Sequence, residues 1–192
     1  MKAGSINLSR WLWSIFLDFR FELHVHVLDA AASRELDEST ALSVLNTEYQ
    51  AQHEQERRFK LSAYLRSVLR NHPYWATGHL ELAQLALSER DIPSAYASSL
   101  AVLALKSTGP SFVRAKHLLG CCHLQSGAGE KAKQLLEEAK KLDADNAGIT
   151  EDLAAACIAL GDKHTARELL GAIPDDRISQ EGKTALAYLR RT

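Results

Sequence analysis

A fixed internal period constrains this chain more than any other feature. Leu119, Gly120, Gly127 and Ala132 recur 34 residues later as Leu153, Ala154, Gly161 and Ala166. One unit earlier, Leu82, Ala83, Ala95 and Pro73 stand 37 residues before Leu119, Gly120, Ala132 and Pro110. A period of this length marks a stack of similar modules, each too small to bury its apolar face alone. The longer first interval is absorbed at Ser107-Thr108-Gly109-Pro110, a turn signal between modules. Added loop residues cost little there.

Each module reads as two helices. Asp91-Ile92-Pro93, Gly127-Ala128-Gly129 and Gly161-Asp162 divide segments whose apolar residues recur at helical spacing. All four prolines fall between helices or at a helix start, where a missing N–H does least harm. The chain holds 30 Leu and 28 Ala against 6 Val and 7 Ile, a balance that favours helix and excludes a large β domain. Helix axes pack about 8–10 Å apart, a distance set by side-chain bulk at the crossing. Ala83, Gly120 and Ala154 in the first helices, with Ala95, Ala132 and Ala166 in the second, are the small residues expected at those crossings. Leu82, Leu119, Leu136, Leu153 and Leu170 fill the space around them.

Leu119-Gly120, Gly127, Ala132, Leu136 and Ala139, then Leu153-Ala154, Gly161, Ala166 and Leu170, resemble the motif of the tetratricopeptide repeat family. Leu82-Ala83, Ala95, Val102 and Pro110 match it more loosely, and Leu61, Leu65, Val68 and Pro73 extend a degenerate pattern back to about residue 37. The expected fold is all-α: a tetratricopeptide-like solenoid of three to four hairpins. Ile178, Ala185, Leu186 and Leu189 supply a capping helix after Pro174. The expected division is an aromatic-rich segment over 1–35 and a repeat domain over 36–192.

The resemblance implies a concave groove, lined by first helices, that holds a peptide or a helix of another protein. Carried onto this chain, its lining is Thr77, Leu80, Gln84, Leu87 and Ser88; then Arg114, His117, Cys121, Leu124 and Gln125; then Glu151, Ala155, Ile158 and Ala159. Family members that act as chaperone adaptors clamp a C-terminal carboxylate with Lys and Asn. Leu80 and Gln84 stand at such positions here, so an apolar segment is the better expectation for a ligand. Arg114 and His117, three apart, share a helical face and suit a ligand carboxylate. The family also includes three-repeat bacterial secretion chaperones with a helical N-terminal extension, and the layout is similar.

Five of the 13 aromatic residues lie between Trp11 and Phe21. As a helix, Trp11, Leu12, Ile15, Phe16, Phe19 and Leu23 make a docking stripe. From Leu17 to Leu28, however, apolar and polar residues alternate as in a strand, and periodicity does not decide between the two. Three destinations compete for this surface: the protein's own solenoid, a second copy or partner, and a membrane interface. Self-assembly or a peripheral membrane scaffold is therefore the alternative function.

A formal charge of −1 gives no bias toward nucleic acid. The three cysteines cannot all pair, and Cys121 and Cys122 are adjacent, which suits a reducing compartment and a cytoplasmic location. His117 and Cys121 have the spacing of a zinc pair on one helix, but no further paired ligands accompany them and Cys122 and Cys157 belong to the core face. Gly127-Ala128-Gly129-Glu130 lacks the lysine and preceding strand of a phosphate loop. The expectation is a non-catalytic binding module without cofactor or metal.

Overall fold

The computed structural model describes residues 54–106 and 108–191, which hold eight helices and no strand. They are α1 (Glu54–Asn71), α2 (Ala76–Ser88), α3 (Ile92–Ala104), α4 (Pro110–Gln125), α5 (Gly129–Leu142), α6 (Ala147–Ala159), α7 (Lys163–Gly171) and α8 (Gln180–Leu189). The fold is thus the all-α, tetratricopeptide-like solenoid expected from the period. The chain divides into two compact units after Gly78, within α2. The expected boundary at residue 35 lies outside the described residues, as do the docking residues Trp11, Leu12, Ile15, Phe16, Phe19 and Leu23.

In the first unit, α1 buries Leu65, Val68 and Leu69 at helical spacing, together with Tyr64. After α1, Trp75 lies so close to Gly78 that a β-carbon there would stand 2.2 Å from the indole ring.

In the second unit each helix from α3 to α8 packs on the next, and α4 also meets α6. This is the pattern of stacked hairpins: α4 with α5, α6 with α7, and α8 closing the end. The small residues lie where helices touch. A β-carbon on Gly120 would come within 2.6 Å of Leu136 Cγ, so only hydrogen fits between α4 and α5. Ala83, Ala95, Ala132, Ala154 and Ala166 are fully buried. Leu136, Leu153, Cys157, Leu170 and Leu189 join the last modules in one core, with Leu124, Ala185 and Leu186 packed against it.

The turns inside the hairpins are built alike. Asp91, Ala128 and Asp162 donate their N–H groups to Ala86, His123 and Cys157, five residues back, and the preceding residue is left-handed. That residue is glycine in two modules, Gly127 (φ 76°) and Gly161 (φ 82°), and Arg90 (φ 59°) in the other. Asp91 and Asp162 then cap the following helices, accepting from Ser94 N–H at 3.2 Å and Thr165 N–H at 3.1 Å. Ala128 holds the same backbone geometry without a capping side chain.

Candidate partner-binding face

The face begins with α2, where the period places the residues in two classes. Leu80 and Leu87 are buried, 3% and 6% exposed, and so contribute packing, whereas Gln84 and Ser88 are exposed. Thr77 is half-buried, within the first unit. On α4, Arg114, His117, Cys121 and Leu124 are half-buried and Gln125 is exposed; on α6, Glu151 and Ala155 are half-buried and Ile158 and Ala159 are exposed.

Polar bridges tie each first helix to the next along this face. Arg114 Nη1 donates to Glu81 Oε1 at 2.8 Å, joining α4 to α2. His117 Nε2 lies 2.6 Å from Asp152 Oδ2, and Cys121 Sγ donates to the same oxygen at 3.2 Å, joining α4 to α6. Glu151 receives the Ser179 N–H at 2.7 Å and the Ser179 hydroxyl, while Ser179 Oγ accepts the Gly182 N–H at 3.0 Å. Glu151 therefore anchors the N-terminus of α8, an orienting role rather than a free groove charge. Arg114 and His117, expected to meet a ligand carboxylate, already meet carboxylates of this chain.

The partners Glu81, Asp152 and Ser179 escaped the sequence reading because they lie 33, 35 and 28 residues from their mates. The signal was present in register: Glu81 immediately precedes Leu82, and Asp152 immediately precedes Leu153, the same place in two modules. Half-exposed ion pairs of this kind are worth little singly, about 0–1 kcal/mol. They fix which faces of the helices align more than how tightly the helices hold.

The three thiols are free and differ in setting. Burial, then the Asp152 carboxylate, pushes the Cys121 thiol far above its ordinary range. Cys122 is pushed up to about 11 by burial, and Cys157 is raised for the same first reason. None is poised as a nucleophile at neutral pH.

Two open cavities adjoin the face. One, of about 630 Å³, is bordered by Pro110, Phe112, Arg114, His117, Leu142 and Asn146, with Lys116 Nζ 4.8 Å from the centroid of the Phe112 ring. The other, of about 610 Å³, lies between α6 and α8, lined by Ile158, Ala185 and Tyr188 with Gln180, Glu181 and Thr184. Ile158 is 38% and Tyr188 59% exposed, an apolar pair standing in solvent at the last module. Tyr188, unlike Ile158, was not anticipated; its ring lies 5.8 Å from Lys163 Nζ. Among the described residues no helix is long and apolar enough to cross a membrane.

No curated protein matches the chain. Residues 123–187, from the last turn of α4 into α8, match a family model described as tetratricopeptide repeat. The matched span holds the strongest part of the period, the hairpin α6–α7 and the repeated left-handed turns. Over these residues the chain is similar to the tetratricopeptide repeat family.

Proposed function

We propose that this protein is a non-catalytic adaptor that captures an apolar peptide or helix of another protein on its first-helix face. Tetratricopeptide repeats generally mediate protein–protein interaction. The observation that carries the finer reading is the exposed pair Ile158 and Tyr188 over the cavity between α6 and α8. Large apolar groups gain about 1.5–3 kcal/mol each when fully buried, so a partner that covers them is favoured. The polar groups of the same face, Arg114 with Glu81 and His117 with Asp152, are already paired, which leaves apolar contact as the main source of affinity. Free cysteines suit a reducing compartment such as the cytoplasm.

The test compares full-length chains recovered from their source cells with the proteins they hold. A double variant, Ile158→Glu with Tyr188→Glu, should keep its helicity and lose the captured protein. Leu100→Glu, an exposed position on α3, should keep it. Equal recovery from the double variant would overturn the reading.

A further inference from the structure

His117 and Cys121 stand one turn apart on α4, and Asp152 reaches them from α6. One nitrogen, one sulfur and one oxygen thus come from two modules, with their ligand atoms all within 4.8 Å of one another. The arrangement does not suit a cysteine nucleophile. Asp152 stands as the shared acceptor, at 2.6 Å from His117 and 3.2 Å from Cys121, so the thiol gives its hydrogen bond to a carboxylate rather than to an imidazole base.

It does suit a cation. Imidazole, thiolate and carboxylate together form the donor set of a borderline-soft divalent ion, with bonds of about 2.0–2.3 Å. Tetrahedral geometry with such bonds sets donor atoms about 3.3–3.7 Å apart. The present separations from Asp152 are shorter, as hydrogen bonds require, so an ion that replaces those hydrogen bonds must move the donors apart to that range. All three residues are half-buried, with His117 21% and Asp152 39% exposed at the side chain, so an ion can enter. Three protein donors leave the fourth position of a tetrahedral ion to solvent, which the partial exposure of Asp152 admits.

We infer that His117, Cys121 and Asp152 form a site for one divalent transition-metal ion, zinc by its donor chemistry, joining the first helices of neighbouring modules and leaving a fourth position for water. The site is independent of whether the apolar face captures a partner.

Titration of the reduced, metal-free full chain with Co²⁺ tests it. One equivalent should produce a near-ultraviolet thiolate-to-cobalt charge-transfer band, and Zn²⁺ should abolish the band by displacement. Cys121→Ser should remove the band, Asp152→Asn should weaken binding by at least about tenfold, and His123→Gln should change nothing. Circular dichroism identifies the variants that remain folded. Should Cys121→Ser lose helicity, His117→Gln replaces it and must weaken binding by the same factor. A wild-type chain without the band, a band that persists in Cys121→Ser, or unchanged affinity in the folded Asp152→Asn or His117→Gln variant overturns the assignment.

Discussion

Single residues decide how sharply each hairpin turns. Gly127 and Gly161 take left-handed backbone without penalty, whereas Arg90 reaches φ 59° with a β-carbon in the way. Arg90→Gly should therefore raise stability by up to about 1 kcal/mol, read as a higher urea midpoint at unchanged slope. A lower midpoint would mean that the arginine side chain compensates for its backbone. Ala128 presents the opposite case, since its backbone matches the capped Asp91 and Asp162 and lacks only the oxygen. Ala128→Asp should add about 1 kcal/mol. That gain depends on charge. At Asp162 the hydrogen bonds from Thr165 hold the carboxyl below its ordinary 3.8, so its contribution is complete above that pH and is lost as pH falls through the lowered native value. The benefit of Ala128→Asp should likewise be present at neutral pH and vanish in acid. A gain that survives full protonation would identify a different cause.

Helices meet through their smallest residues, and the sharpest instance is Gly120 against Leu136. Because the missing β-carbon would stand 2.6 Å from Leu136 Cγ, larger groups at residue 120 must push α4 from α5. Gly120→Leu should lower stability by roughly 1–3 kcal/mol, measured by thermal unfolding, and undiminished stability would contradict the crossing. Element boundaries were legible for a related reason. Proline and glycine punctuate the chain where hydrogen-bonded helix cannot continue, and Pro110 does begin α4. The capping helix was legible too, since Leu189 is buried with Ala185 and Leu186 packed on the same core, although Ile178, also buried, lies just before the Ser179 cap rather than in α8.

Across the whole molecule, the period made the all-α repeat fold readable because packing repeats when small residues repeat. The candidate face was readable only in part. Period alone assigns an angular position, and burial then divides that position: Leu80 and Leu87 serve the core while Gln84, Gln125 and Ile158 reach solvent. Bridges such as His117 with Asp152 leave no local pattern and show only in register, where Asp152 precedes Leu153 as Glu81 precedes Leu82. The placement of Tyr188 was hidden similarly, since the capping helix lies outside the strict period. Photo-crosslinking tests the working face most directly, with a reactive residue placed in turn at Gln84, Gln125 or Ile158 on first helices and at Gln134 or Lys141 on α5. Adducts to another protein should form from the first three positions and not from the last two. Equal labelling, or adducts from α5 alone, would contradict the account.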